Sequence, residues 1–169
     1  MLVNSSQLFE SWHVTGVLVG IPPAYLNMFL QRKLYGITAL VSGQRGDKNS
    51  RRFDDLAVFG IALAWMLFKS GLRTEPIRRI LADIADTKDA SAEEAARMLF
   101  GAGMRYLVVI RELTNSGDET GADFKIKVTD WLEELPEILA ENPTTSVLVL
   151  PVGEMFDGIE TRMRVIQGG

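Results

Sequence analysis

Residues 15–36 read TGVLVGIPPAYLNMFLQRKLYG, and their spacing decides the fold of the N-terminal half. A helix-turn-helix needs a small residue midway along its first helix, where the second helix crosses closely. Four residues later it needs a glycine, because the chain turns there at positive φ. An apolar residue follows directly, with two more five and eight positions beyond it. Gly16, Gly20, Ile21, Leu26 and Phe29 fill these positions, and Thr15 and Val19 complete the expected inner face. A glycine inside a helix costs about 1 kcal/mol against alanine, and a close helix crossing would account for Gly16. Pro22 and Pro23 suit a helix start, where the missing N–H has no partner to lose. Leu26, Phe29, Leu30 and Leu34 recur at helical spacing, and Gly36 is expected to end the run. An ordinary helical hairpin is the other reading of the same pattern.

The helix expected over residues 22–34 has an outward face made of Tyr25, Asn27, Met28, Gln31 and Arg32, with Lys33 beside them. Asn and Gln can each bond adenine twice, and Arg can do so to guanine, so this face suits base edges in a major groove. Residues 37–53 then read as strand, polar loop and short strand. Arg45, Lys48, Arg51 and Arg52 on this hairpin are what a phosphate-gripping wing requires. A solvated surface loop is the alternative. Asp54 and Asp55 favour a helix N-terminus, and a helix over 55–70 closes on Gly71. Further helices are expected over about 75–85 and 92–101.

From the helix-turn-helix to the next helix pair, residues 12–85, the sequence resembles the MerR-type winged-helix family of bacterial transcription regulators. The family wing ends in Arg and an aromatic, followed by an acidic helix start with Leu. Here that is Arg51-Arg52-Phe53-Asp54-Asp55-Leu56. An apolar helix (61–68), a Gly-apolar stop (Gly71-Leu72) and paired aliphatics (Ile77, Ile80, Leu81) follow in family order. The resemblance implies a dimeric DNA-binding regulator. Asn27 stands where members usually carry Arg, there is no cysteine for thiolate metal sensing, and no long heptad helix follows residue 85. DNA binding therefore transfers from the family, and its effector mechanism does not.

The chain has 169 residues, 18 Lys and Arg against 22 Asp and Glu, one His and no Cys. With 47% hydrophobic and 24% charged residues it reads as a soluble globular protein with a real core. Disulfides, thiolate metal sites and cysteine nucleophiles are excluded, as is a multi-histidine metal site. The longest uncharged apolar run, residues 56–68, is 13 residues long. It is too short for a membrane core of about 30 Å. Residues 1–10 lack the marks of a signal peptide, so a cytoplasmic protein is expected. The net charge of −4 argues against DNA binding by the whole surface. Residues 31–52 alone carry six cations and one anion, however, so the remainder carries −9. A concentrated basic patch on an acidic body favours binding in one orientation.

Residues 104–169 change character. Strands are expected over 105–113, 124–128 and 146–152, with helices over 130–142 and 154–166. This implies a small α/β unit. Met155, Ile159, Met163 and Ile166 share one face of the last helix, which is read as a surface needing a partner. The unit is expected to form a homodimer, with ligand sensing or plain core packing as alternatives. Asp118, Glu119 and Asp123 lack the spacing of a calcium loop, and Gly117 and Gly121 lack the Lys-Ser/Thr of a phosphate loop. Arg45-Gly46-Asp47 is a chance tripeptide. His13 has no serine motif to serve and is read as a structural or surface residue. Trp12, Trp65 and Trp131 are expected in the core.

The expected fold is α+β. Residues 1–103 form a mainly helical winged helix-turn-helix domain, and 104–169 form a small α/β domain. The expected function is sequence-specific binding of double-stranded DNA by a transcriptional regulator, with no enzymatic activity, no cofactor, no metal and no membrane partner. A protein-interaction or small-molecule-sensing module reusing the fold without DNA is the alternative.

Overall fold

A computed structural model describes residues 8–34, 41–42, 51–85, 106–111, 124–129, 132–141 and 146–168. The chain is an α+β protein with two small antiparallel sheets. Among the described residues no helix is long and apolar enough to cross a membrane.

The first sheet has the order β1 (Phe9–Glu10), β3 (Arg52–Phe53), β2 (Val41–Ser42). Phe9 pairs with Phe53 and Glu10 with Arg52. Alternation across the pleat sends both phenylalanines into the core and leaves the charged pair outside. β1 has no counterpart in the sequence reading, because two residues are too few to show a period.

A π-helix, His13–Leu18, follows β1 and closes with Val19 N–H donating to Val14 C=O at 3.1 Å. Its inner face is Val14 and Leu18, both fully buried, rather than Thr15 and Val19, which are half-buried. The register follows from polarity: Thr15 carries a hydroxyl that donates to Trp12 C=O, whereas Val14 and Leu18 bury only hydrocarbon. Gly16 is then exposed, and a Cβ there would meet no atom within 4 Å. The close crossing expected at Gly16 does not exist. Gly20 does turn the chain at φ +71°, and Ile21, Leu26 and Phe29 are buried as expected.

Helix α1 spans Pro23–Gln31. It ends before Gly36, through a Schellman arrangement in which Leu34 N–H reaches Phe29 C=O at 2.8 Å and Lys33 N–H reaches Leu30 C=O at 3.2 Å. Lys33 holds the left-handed position with φ 56°. Leu34 buries itself to 1% exposure, and that burial, about 2 kcal/mol, fixes where the helix stops.

Helix α2, Asp55–Lys69, is the centre of the molecule. Ala57, Val58, Ile61, Ala62, Leu63, Ala64 and Leu67 are buried round most of its circumference, as an apolar helix requires. Asp54 caps it, its Oδ1 accepting from Ala57 N–H at 2.7 Å. Gly71 at φ +92° ends the turn into α3, Thr74–Ala85. Ile77, Ile80 and Leu81 face inward. The helix expected over 92–101 lies outside the described residues.

The second sheet has the order β5 (Phe124–Thr129), β4 (Tyr106–Arg111), β6 (Ser146–Leu150). Central β4 is buried on both faces. Leu107 and Val109 join the main core, while Val108 and Ile110 pack with Ile138. A 3-10 turn, Leu132–Glu134, leads into α4, Leu135–Glu141. Pro136 falls in the first turn of α4, where its missing N–H costs nothing.

The last helix, α5, spans Val152–Gly168. Val152, Phe156, Ile159 and Met163 are buried, and Met155 and Ile166 are half-buried against the same core. Phe156 meets Phe59 of α2 edge-on at 5.3 Å. The apolar face read as needing a partner is thus covered within the chain. One continuous core draws on residues both before and after the expected division at 103/104, and the division itself lies outside the described residues.

Candidate nucleic-acid interface

Helix α1 is amphipathic: Leu26 and Phe29 anchor it, and its two prolines start it without a side-chain cap. Tyr25 and Leu26 N–H groups both donate to Pro22 C=O, at 2.9 and 3.0 Å. The helix carries no acidic residue, so nothing on it repels an anion.

The expected outward residues divide into two groups. Gln31, Arg32 and Lys33 are exposed at the C-terminal end. Tyr25 is 39% exposed, and its ring lies 5.2 Å from Trp65 and 5.3 Å from Phe68 of α2. Met28 is half-buried and packs against the core. Asn27 is half-buried too, and its Oδ1 accepts from Arg51 Nη1 at 3.1 Å.

That last bond brings the basic segment to α1. Arg51 directly precedes β3 and turns toward α1, while Phe53, two residues on, enters the core. A guanidinium carries five N–H donors, and the bond to Asn27 uses one of them. Arg52 points the other way and pairs with Glu10 at 2.8 Å. Arg32 reaches out of α1 to donate to Thr74 Oγ1 at 2.7 Å, tying the end of α1 to the start of α3. Of the hairpin and α1 cations that are described, Arg32 and Lys33 are exposed at the end of α1, Arg51 is held against the middle of the helix at Asn27, and Arg52 lies on the outer face of the sheet. Arg45 and Lys48 lie outside the described residues, as do Asp118, Glu119, Asp123, Gly117 and Gly121.

Lys33 is the strained member. An L-residue in the left-handed region costs about 1–2 kcal/mol, and glycine or asparagine usually holds this place.

Trp12 is not in the core: it is 58% exposed. Its Nε1 donates to Glu10 Oε2 at 2.7 Å, and its ring stacks on His13 at 3.7 Å. The indole N–H has found a carboxylate at the surface, which burial would have denied it. His13 Nδ1 accepts from Glu10 N–H at 3.2 Å. Trp65 is half-buried in the aromatic cluster with Phe29 and Phe68, and Trp131 lies outside the described residues. Among the described residues no group of three or more His, Asp or Glu is placed to hold a metal ion.

Sequence reasoning missed two features. The left-handed Lys33 gives no sign in its residue type. Arg162 of α5 donates to Leu18 C=O from Nε at 3.2 Å and Nη2 at 2.9 Å. No local pattern could announce a contact between residues that far apart in the chain.

No known protein-family model matches the chain, and no curated protein matches it.

Proposed function

We propose that the protein is a sequence-specific DNA-binding regulator of the winged-helix kind, as the resemblance to MerR-type regulators implies. In this reading residues 22–34 enter the major groove and the basic hairpin, residues 37–53, lies on phosphate. The observation that carries it is the Arg51–Asn27 contact, which ties a hairpin cation to the outward face of α1. A helix in a groove has phosphates on both flanks, so cations at its exposed end and beside it are what backbone positioning requires. Gln31 and Arg32 are the exposed side chains able to read bases. Lys33 adds a cation at a backbone position that glycine would occupy without strain. Dimerisation on a two-fold site uses a surface other than the apolar face of α5, which is covered within the chain.

One observation favours the alternative. Tyr25 and Met28 pack against neighbouring side chains, Asn27 is bonded to Arg51 and Arg32 to Thr74, so four of the five outward residues already have intramolecular contacts. A protein-interaction or small-molecule-sensing module would need none of them for bases.

Selection from a random DNA pool separates the two. A regulator enriches one motif, and Gln31→Ala then relaxes preference at one or two positions of that motif, at about 1–3 kcal/mol per lost contact. No enrichment, beside a small molecule or protein that raises the melting temperature by mass action, establishes the alternative.

A further inference from the structure

We propose that Arg162 is a positioning residue, through which the C-terminal helix α5 holds the turn that aims α1. Leu18 ends the π-helix, and its carbonyl belongs to the set that a helix end leaves without intrahelical partners. Arg162 supplies two N–H donors to that one oxygen, at 3.2 and 2.9 Å. A cation at a helix C-terminus also opposes the negative end of the helix dipole. Two residues later the chain passes Gly20 at φ +71° and enters α1. The direction of α1 therefore depends on where Leu18 and Gly20 are held.

The apolar contacts act on the same joint. Val14 and Leu18 share a core with Ile159 and Met163 of α5, but hydrocarbon packing is not directional. The two N–H donors converge on one carbonyl oxygen at the end of the π-helix and so add a directional constraint to that packing. Gly158 lies one turn before Arg162, and a Cβ there would make an ordinary contact with the guanidinium, 3.4 Å from Nη1. The neighbouring Arg164 does something different, pairing with Glu160 of its own helix at 2.8 Å. It serves as the control.

The clamp rests on geometry alone. Its consequence for target binding rests on the DNA-binding reading, so the test has two independent arms. Both use the full chain with Arg162→Met, Arg162→Lys and Arg164→Met. The first arm measures amide hydrogen exchange at Val19, whose N–H closes the last π turn. Arg162→Met should speed that exchange about tenfold, as expected for losing a charge-assisted bond. Arg162→Lys, with one donor retained, should fall between, and Arg164→Met should leave exchange unchanged. Unaltered exchange at Val19 in both Arg162 variants overturns the clamp; Arg162→Lys decides alone if Arg162→Met does not fold.

The second arm measures affinity for the DNA that the unaltered protein selects from a random pool. Arg162→Met should weaken it about tenfold with the base preference blurred and the salt slope unchanged, because no phosphate contact is lost. Faster exchange with unchanged affinity refutes the aiming role. If the unaltered protein selects no DNA, the regulator reading fails and the exchange arm still decides the clamp.

Discussion

Replacing Lys33 with glycine should make the protein more stable and a weaker DNA binder at once. Lys33 sits at φ 56°, in the left-handed residue of a Schellman ending. An L-side chain there costs about 1–2 kcal/mol, which glycine avoids. Glycine gives back about 0.5–1 kcal/mol through the greater freedom of the unfolded chain. The net gain is about 0.5–1 kcal/mol, because Lys33 is exposed and its side chain adds no burial to lose. For a chain of this size that corresponds to about 1–4 °C in Tm. Urea unfolding read by tryptophan fluorescence gives the free energy, and calorimetry gives the Tm. Lys33→Ala separates the two effects: it removes the charge, keeps the strain, and should leave stability nearly unchanged. On selected DNA both variants should lower the slope of log K against log salt by about 1. A Lys33→Gly protein no more stable than Lys33→Ala would show that the left-handed backbone at this position carries no strain.

Two glycines in the first turn should respond in opposite directions. Gly16→Ala meets no atom within 4 Å and should stabilise the helix by up to about 1 kcal/mol, whereas Gly20→Ala, at φ +71°, should cost about 1–2 kcal/mol; equal destabilisation would restore the close crossing at Gly16. Asp54→Ala removes the cap from a helix at the centre of the core and should cost about 1–2 kcal/mol; a loss below a few tenths, by chemical denaturation, would show that the Ala57 amide finds another partner.

The parts legible in the sequence are those fixed by local rules. Gly20 could be placed because only a turn at positive φ calls for glycine directly before Ile21. Helix α2 could be placed because a cap at Asp54, an apolar run and Gly71 are consecutive in the chain. The inner face of the π-helix was displaced by one residue, because Val14 and Leu18 compete with Thr15 and Val19 on burial, which a spacing rule does not weigh. The end of α1 differs from the expected one for a related reason: Gly36 is a local stop signal, yet burial of Leu34 stops the helix earlier and forces lysine into the glycine conformation.

The candidate interface was legible in residue type and not in engagement. Spacing identified the outward side of α1, but it could not show that Tyr25 leans on Trp65 and Phe68, or that Asn27 is bonded to Arg51. Both facts depend on segments far away in the chain. The same holds for the last helix. Its apolar stripe was read correctly as a stripe, but periodicity cannot distinguish a face awaiting a second molecule from one that covers α2 and the π-helix of its own chain.

In the proposed function a hairpin cation held against α1 grips phosphate while the exposed end of α1 reads bases. The most direct measurement is the salt dependence of binding to pool-selected DNA, for the unaltered protein and for Arg51→Ala. A DNA-binding regulator should enrich a motif, lose affinity steeply with salt, and show a slope reduced by about 1 in the variant at every sequence tested. Absence of any enriched motif, or a slope identical in the two proteins, would contradict that function.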